Sequence, residues 1–512
     1  MKNILGIEFP DKIEGLGNLK AFDGKRHGGT AYEDTLKAPN GHNNKMIESL
    51  EKTIELSGLK NGMTISFHHH FRNGDYIVNM VLDTLERMGF KDLVVAASSL
   101  TDCHARMIEH IKSGLVRRIE TSGLRGELAN AISNGLMNIP VIFRSHGGRA
   151  YAIESGELKI DVAFLGAPSC DCAGNANGIS RDGDTSYDCG SLGYAMADAK
   201  YAAKTIILTN NIVPYPNTPC AIPEIDVDYI VKVDEIGDPK GIASGATRFT
   251  TNPRELKIAE MAVDVMENSG YFKDGFSFQT GTGGASLAAT RFLRDRMIKK
   301  GIKANFALGG ITGAIVKLHE EGLIKKLLDV QDFDLEAVRS IRENPFHCVV
   351  SGHHYAGSGI EGSAVDQLDM VVLSALEIDT NFNVNVLTGS DGVIRGAIGG
   401  HPDTASGAKM TIVAAPLIRG RIPTVLDRVN TIVTPGSTVD VFVSEYGIAV
   451  NPLRQDLIER LSSAGIKLNT IEELKNTAEK IVGKPKQIQY KDKIVGLVYY
   501  RDSSVIDVIR QV

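Results

Sequence analysis

Two glycine-rich segments in the second half of the chain have the residue types and spacing that an anion-binding loop needs. The first is Gly281-Thr282-Gly283-Gly284, which follows an apolar stretch of strand length and precedes a helical pattern. Glycines let a backbone approach a ligand closely, and the N–H groups at a helix start favour an anion. The loop therefore predicts a site for a phosphate or an acyl group, with a structural tight turn as the alternative.

The second segment contains the adjacent pair Gly399-Gly400, followed directly by His401. Two consecutive backbone N–H groups can stabilise an oxyanion, such as the one that forms when a thioester carbonyl is attacked. The chain has 53 glycines, so a plain glycine turn stays open as the other interpretation.

Several charged residues could act beside these loops. Glu377 ends an apolar run, and ligands of open α/β sheets bind at the carboxyl ends of strands. A solvated charge at a strand end fits Glu377 equally well. Arg144 and Arg149 flank a Ser-His-Gly-Gly segment that could bind a small anion, and Arg421 is one of several cations near Gly399 and Gly400 in sequence. Most such arginines are expected to be surface charges.

The run His68-His69-His70 invites a metal interpretation. Adjacent residues of a strand point to opposite faces, so at most two of the three could face one ion. No second cluster of His, Asp or Glu at motif spacing accompanies the run. The sequence therefore predicts no metal site.

A long internal repeat predicts the scaffold for these segments. Asp161–Asn177 reads DVAFLGAPSCDCAGNAN, and Asp369–Asn385 reads DMVVLSALEIDTNFNVN. Each opens with an acidic residue, continues as an apolar run, and ends with Asp and Asn turn residues. Val227–Val231 and Val439–Val443 match at nearly the same offset. The period far exceeds the roughly 20–50 residues of a solenoid unit, so the repeat predicts two related α/β domains in tandem.

The repeat sets the predicted domain boundaries. An N-terminal arm and helix occupy residues 1–57, domain one occupies 58–245, and domain two with a C-terminal extension occupies 246–512. The tail after Glu472 has no counterpart in domain one, and either a partner contact or a terminal hairpin would explain it. Hydrophobic periodicity predicts helices at 46–57, 74–88, 125–134, 254–269, 281–296 and 452–464, and strands at 140–143, 162–165, 205–208, 229–233, 369–378, 409–415 and 439–443.

The composition narrows the class of protein. Of 512 residues, 43% are hydrophobic and 23% charged, which is typical of a globular protein, and a formal charge of −6 does not favour a nucleic-acid partner. The six cysteines give neither a disulfide framework nor a paired zinc spacing. No apolar run reaches the length of a membrane span, and the start does not read as a signal peptide. We expect a cytoplasmic protein without a membrane partner.

Taken in order, these segments resemble the CoA-transferase superfamily and, within it, the family of citrate lyase alpha chains. The resemblance implies two tandem related CoA-transferase-like α/β domains with mainly parallel sheets. It is carried by the paired halves and by consecutive motifs: Asp161-Val162-Ala163 with Asp171 and Gly174-Asn175, then GTGG at 281–284, SALEID at 374–379, GAIGGHPD at 396–403 and SEYGIA at 444–449.

The resemblance also implies an activity: exchange of acetyl for citryl on the thiol of an acyl carrier protein or of CoA. The partners would be a lyase (beta) subunit and the acyl carrier (gamma) subunit in an oligomer, with no permanently bound cofactor and the CoA-like thioester arm as substrate. Gly399 and Gly400 would hold the oxyanion, and Glu377 is a further catalytic candidate. The remaining expected site residues are Gly281, Thr282, Gly283, Gly284 and His401 for the CoA-like arm, and Arg144, Arg149 and Arg421 for the tricarboxylate.

One departure from the superfamily concerns mechanism. Members that work through an enzyme-bound thioester carry a nucleophilic glutamate where this chain reads Ala307–Ala314, which has no carboxylate. The expected mechanism is therefore direct attack by citrate in a ternary complex, through a mixed anhydride. The alternatives are a stand-alone CoA-transferase or acyl-CoA hydrolase with a covalent glutamate, Glu377 or Glu445, and a non-catalytic scaffold.

Overall fold

The computed structural model describes residues 1–2, 5, 7–8, 10–13, 17–18, 44–181, 183–243, 250–281, 283–359 and 362–512. They form two compact units, 1–45 and 46–512. The described part of the first unit contains an antiparallel pair, β1 (Lys12–Ile13) and β2 (Gly17–Asn18). Most of the predicted N-terminal arm lies outside the described residues.

The first half of the large unit alternates strands and helices, as the sequence predicts for parallel sheets. Its elements are β3 (Met46–Ile47), α1 (Leu50–Ser57), β4 (Thr64–Phe67), α2 (Ile77–Arg87), β5 (Leu93–Ala97), α3 (Met107–Lys112), β6 (Val116–Thr121), α4 (Gly126–Ser133), β7 (Val141–Phe143), α5 (His146–Glu154), β8 (Val162–Gly166), β9 (Ser169–Cys170), β10 (Ala176–Asn177), α6 (Ala195–Tyr201), β11 (Lys204–Thr209) and β12 (Tyr229–Lys232).

The second half repeats this alternation and then adds a tail. Its elements are α7 (Pro253–Asn268), β13 (Ser277–Thr280), α8 (Gly284–Lys300), β14 (Ala304–Ile311), α9 (Gly313–Glu320), β15 (Ile324–Asp332), α10 (Leu335–Glu343), β16 (His347–Val349), α11 (Gly352–Ala356), β17 (Met370–Leu373), β18 (Glu377–Asp379), β19 (Val384–Asn385), α12 (His401–Gly407), β20 (Met410–Ala414), β21 (Ile418–Arg419), β22 (Ile422–Pro423), β23 (Val425–Leu426), β24 (Val441–Ser444), β25 (Gly447–Val450), α13 (Gln455–Ser463), β26 (Leu468–Asn469), α14 (Ile471–Val482), β27 (Ile494–Tyr499) and β28 (Val505–Arg510).

Two large sheets carry the fold, and their strand orders repeat. The first runs β28-β27-β7-β6-β5-β4-β8-β11-β12-β3, and the second runs β16-β15-β14-β13-β17-β20-β24-β25-β26. The block β7-β6-β5-β4-β8-β11-β12 corresponds strand for strand to β16-β15-β14-β13-β17-β20-β24. Pairing is parallel except for β27–β28 and β24–β25. The predicted fold class and the duplication are confirmed, while the domain boundaries at 57 and 245 stay predictions.

The acidic residues that open the repeat have the same structural role in both halves. Asp161 Oδ2 accepts the Thr64 N–H at 2.9 Å, and Asp369 Oδ2 accepts the Ser277 N–H at 2.9 Å. Each carboxylate thus joins the residue just before one central strand to the first residue of the neighbouring parallel strand. Because a buried backbone donor left without a partner is costly, these contacts hold the register of both sheets.

The periodic helices form where the apolar spacing predicts them. In α2, the residues Val78, Val81, Leu82 and Leu85 lie on one face and are buried. The predicted helix at 46–57 is wrong in its first turn. Met46–Ile47 instead pairs in parallel with β12, and the helix begins after Ser49, whose side chain accepts the Lys52 N–H.

The C-terminal tail is a hairpin. β27 pairs in parallel with β7 and antiparallel with β28, so the end of the chain extends the sheet of the first half. This pairing accounts for the apolar character of the tail. Among the described residues, no helix is both long enough and apolar enough to cross a membrane.

Candidate active site

A cleft lies where the carboxyl ends of the strands in the two halves meet. It consists of two adjoining cavities of about 360 and 380 Å³. They share five lining residues from both halves, and these five define the centre of the cleft: Arg125, His146, Phe333, Ala397 and Gly399.

Gly399 and Gly400 lie in the wall of this cleft, at the start of α12. Gly399 has φ +57°, a conformation that glycine adopts without strain, and its carbonyl accepts the His146 N–H at 3.0 Å. A methyl group at Gly400 would lie 2.2 Å from the Tyr355 hydroxyl, so only glycine fits there. Neither glycine N–H has an acceptor among the described residues.

The Gly281 loop contributes one described residue to the cleft. Gly281 lines the same cavity as Gly400, and its N–H donates to Val372 O at 2.8 Å. Gly283 caps α8, and the backbone of Gly284 packs against the Glu255 carboxylate. Thr282 lies outside the described residues.

His401 lines the same cavity but is already fully hydrogen-bonded. Its Nδ1 lies 2.6 Å from Thr434 Oγ1, and its Nε2 lies 2.9 Å from Ser374 O. Burial lowers the pKa of His401 to about 4, so the ring is neutral. These bonds fix the start of α12 and with it the neighbouring Gly400.

Arg72 is a buried cation that the sequence did not single out. It is 8% exposed, its guanidinium stacks over Phe333 at 4.6 Å, and its Nη1 is buried with no hydrogen-bond partner among the described residues. Burial and then the charge of Arg125 lower the pKa of Arg72 to about 10. Both arginines line the cleft. Two cations that repel each other favour an anion between them.

The arginines that the sequence assigned to the tricarboxylate lie elsewhere. Arg144 is buried between Glu120 and Glu157, and Arg149 is buried against both oxygens of Asp198. The third, Arg421, is exposed in the turn between β21 and β22. The motif signal could not separate these from Arg72, because it reports charge and not whether the charge is already paired.

Glu377 also lies apart from the cleft. Its carboxylate accepts hydrogen bonds from the Asn385 side chain at 2.8 Å and from the Asn430 N–H at 3.0 Å, and it borders a separate cavity. Burial raises its pKa despite these bonds. Glu445 is likewise engaged, accepting the Leu417 N–H at 2.8 Å. Both carboxylates therefore stabilise nearby backbone by accepting its N–H groups.

The strand that would carry a nucleophilic glutamate does reach the cleft. Gly310, near the end of β14, lines the cavity beside Gly281. A side chain at this position would overlap the Phe333 ring, since a methyl group there would lie 1.5 Å from it. No glutamate occurs among the described residues that line either cavity.

The histidine run forms an aromatic floor under the cleft. His69 stacks on Tyr194 at 5.5 Å and on His146 at 5.9 Å, and His68 Nε2 bonds Gly166 O at 2.9 Å. Burial lowers the pKa of His68 to about 4 and those of His69 and His70 well below the usual value. The three rings are therefore neutral and packed together, and the expectation of no metal stays a prediction.

A second buried cluster lies at the end of β15. Ligand atoms of Asp329, Asp332 and His347 lie within 4.8 Å of one another. His347 Nε2 bonds Asp329 Oδ2 at 3.0 Å, and Asp332 Oδ2 accepts the Ser191 N–H from the first half. Burial raises the pKa of Asp329 to about 7 and raises that of Asp332 well above its usual value, so the pair retains a proton near neutrality.

Comparison with known proteins identifies the family. The model of the citrate lyase, alpha subunit (CitF) family matches residues 43–512. A citrate lyase alpha chain from Escherichia coli strain K12 is 58% identical over 480 residues, covering 94% of this chain and 93% of that protein. The chain belongs to the citrate lyase alpha-subunit family.

Solved structures agree with this membership. A citrate lyase alpha subunit from Streptococcus mutans, crystallised with citrate, is 59% identical, with a TM-score of 0.90 over 93% of this chain and 92% of that one. A malonate decarboxylase hetero-tetramer from Pseudomonas has a TM-score of 0.65 at 16% identity, over 86% of this chain and 88% of that one. At that identity the second likeness concerns the fold alone.

Proposed function

We propose that this citrate lyase alpha-family chain is a citrate CoA-transferase, which exchanges acetyl for citryl on the thiol of an acyl carrier protein or of CoA. Family membership supports this activity, and the relative crystallised with citrate supports the substrate. The single observation that carries it in this chain is the cleft, in which Gly399 lines both adjoining cavities, Gly400 lines the first and the buried cation Arg72 lines the second.

The reaction balances without an enzyme nucleophile. A citrate carboxylate oxygen attacks the thioester carbonyl, forming a C–O bond and an oxyanion. Collapse of the oxyanion breaks the C–S bond and gives an acetyl–citryl anhydride and a thiolate. The thiolate attacks the citryl carbonyl, a new C–S bond forms, and acetate leaves. One carboxylate enters and one leaves, so no net proton transfer is required.

The protein then acts by proximity and charge stabilisation. Gly399 and Gly400 hold the oxyanion, Arg72 and Arg125 bind carboxylates of citrate, and Gly281 faces the thioester arm. The alternative mechanism through a covalent glutamyl thioester lacks support, because Glu377 and Glu445 are hydrogen-bonded to other residues outside the cleft. A lyase subunit and an acyl carrier subunit are the partners that a citrate lyase alpha chain implies.

The test is acyl exchange by the full-length chain, measured as acetate released from acetyl-CoA on addition of citrate. For Arg72→Gln we expect kcat/KM for citrate to fall about 100-fold, because a desolvated charge pair is lost. The matched control is Arg339→Gln, an arginine on α10 that pairs with Glu320 at 2.7 Å outside the cleft. If the wild-type chain catalyses no exchange, the proposed function is refuted. If kcat/KM for citrate is the same in Arg72→Gln and Arg339→Gln, the proposed binding of citrate by Arg72 is refuted.

A further inference from the structure

His146 stands at the centre of the cleft with a fixed backbone. Its N–H donates to Gly399 O at 3.0 Å. On either side of it, Ser145 Oγ and the Gly147 N–H both donate to the Asp403 carboxylate, at 2.8 and 2.9 Å. Three hydrogen bonds to the second half therefore set the position of this residue before any substrate binds.

The ring is held as firmly as the backbone. The imidazole of His146 packs on Tyr194 with ring centres 4.2 Å apart and on His69 at 5.9 Å. A methyl group at Gly399 would lie 3.7 Å from His146 Nε2, so this nitrogen is directed to the glycine pair. His146 also lines both cavities. Its Nε2 therefore lies beside Gly399 in the wall of the cleft.

The environment decides which nitrogen carries the hydrogen. Nδ1 of His146 is buried and has no hydrogen-bond partner among the described residues, so an N–H there would be an unsatisfied donor. The residue is also the first of α5, where backbone N–H groups favour a lone pair over a second donor. The hydrogen therefore belongs on Nε2, on the side of the cleft.

From this geometry we infer that His146 is a further catalytic residue of the proposed exchange, with its Nε2–H as a third donor to the thioester oxyanion beside the amides of Gly399 and Gly400. The inference rests on the proposed function. It gives His146 the role of a neutral hydrogen-bond donor, and it requires no proton transfer in any step of the exchange.

Burial and the charge of Arg149 keep the His146 ring neutral. Burial, reinforced by Arg149, lowers the pKa of His146 to about 3. A pKa lowered in the folded state leaves the ring uncharged throughout the range from pH 5 to 8. The charged and titratable groups that face it from the packed elements are these: His69, His70, Arg125, Arg149, Tyr194 and Asp403.

The test replaces His146 in the full-length chain and measures exchange between acetyl-CoA and citrate. His146→Phe keeps the stacked ring without a donor, and we expect kcat to fall about 100-fold while KM for citrate changes less than about threefold. His146→Gln retains an N–H donor near the Nε2 position, and we expect it to recover at least about tenfold of that loss. The ratio of wild-type to His146→Phe kcat should be constant from pH 5.5 to 8.

The matched control is His353→Phe on α11, the helix that corresponds to α5 in the second half. His353 packs edge-on against Tyr201 and pairs with Glu154 away from the cleft. We expect unchanged kcat there. If His146→Phe keeps kcat within about threefold, or if the ratio changes with pH as for a titrating base, the inference is overturned. Absence of exchange by the wild type would instead overturn the proposed function.

Should His146→Phe unfold at assay temperature, His146→Leu takes its place as the variant without a donor. A fall in kcat of about 100-fold that His146→Gln recovers at least about tenfold supports the role. A folded His146→Leu protein whose kcat stays within about threefold of wild type contradicts it.

Discussion

The two halves of the chain keep the same strand order, but the residues that follow the corresponding strands β4 and β13 differ. In the first half, β4 is followed by His68 and two further histidines that fill the space beneath the cleft. In the second half, β13 is followed by Gly281, which opens onto the cleft. Duplication thus preserved the contacts that align the strands, whereas the strand ends that face each other diverged.

The loop after the repeat strand shows a milder divergence. Asp171 Oδ1 accepts the N–H groups of Gly174 and Asn175 in the first half, and Asp379 Oδ1 accepts that of Asn383 in the second. The turn is therefore the same. Glu377 replaces a serine of the first copy, and it braces the turn without entering the cleft. A difference between the copies does not by itself mark a catalytic residue.

The largest effect expected from this comparison is on kcat for exchange, and it distinguishes a glycine of the cleft from a glycine of an ordinary turn. Gly399→Ala and Gly420→Ala place alanine at φ +57° and +61°, so the backbone strain is matched at about 1 kcal/mol. The added methyl meets His146 at Gly399 and nothing within 4 Å at Gly420. We expect Gly399→Ala to lower kcat for exchange at least tenfold and Gly420→Ala to leave it unchanged. Equal kcat in both variants would remove Gly399 from the site.

A smaller effect tests the buried acids of β15, whereas the buried acid at the end of β6, Glu120, is paired with Arg144. The raised pKa of Asp329, about 7, means that the protonated form stabilises the fold. That contribution is fully present below about pH 4 and is lost as pH rises through 7. Asp332→Asn keeps an acceptor for the Ser191 N–H and removes one charge. Its free energy of unfolding at pH 8 should exceed that of wild type by about 1–2 kcal/mol.

Urea unfolding at pH 4 and pH 8 measures this difference. The two proteins should converge in stability at the lower pH, because wild type then carries its proton. Parallel pH dependence of wild type and Asp332→Asn would show that the pair does not retain a proton.

The smallest expected effect is a difference between two matched variants, and it tests whether the halves are stabilised equally. Asp161→Ala and Asp369→Ala each leave one backbone N–H of a central strand without its acceptor. We expect each to reduce the free energy of unfolding by about 1–3 kcal/mol, with the two values within about 1 kcal/mol of each other. A markedly larger loss in one half would show that the halves are stabilised unequally.

Most of the fold could be predicted from the sequence because both copies of the repeat keep the acidic residue that aligns neighbouring strands. Asp161 and Asp369 sit before matching apolar runs, and the helical periodicity around Val81 is unbroken. The prediction of helix was wrong for the first turn of 46–57, because the apolar pair Met46–Ile47 fits an edge strand as well as a helix. The hairpin at 494–510 was one of two interpretations, and its pairing with β7 joins segments far apart in sequence.

The site was predicted less well than the fold. Gly281, Gly399, Gly400 and His401 are in the cleft, as their motifs indicate. The three arginines predicted to bind the tricarboxylate do not line the cleft. Whether an arginine is already paired depends on its neighbours in three dimensions, which the sequence does not show. Arg72 lines the cleft and has φ +54° with an unpartnered buried Nη1, and none of these features can be read from residue type.

The central claim is that two duplicated halves enclose a thioester and exchange its acyl group without an attacking side chain. Intact mass spectrometry of the full-length chain, after turnover with acetyl-CoA and citrate and a borohydride quench, tests it most directly. The account predicts citryl-CoA and acetate in solution and a protein of unchanged mass. A protein whose mass shows a reduced glutamate, with Glu377 or Glu445 as the modified residue, would contradict it.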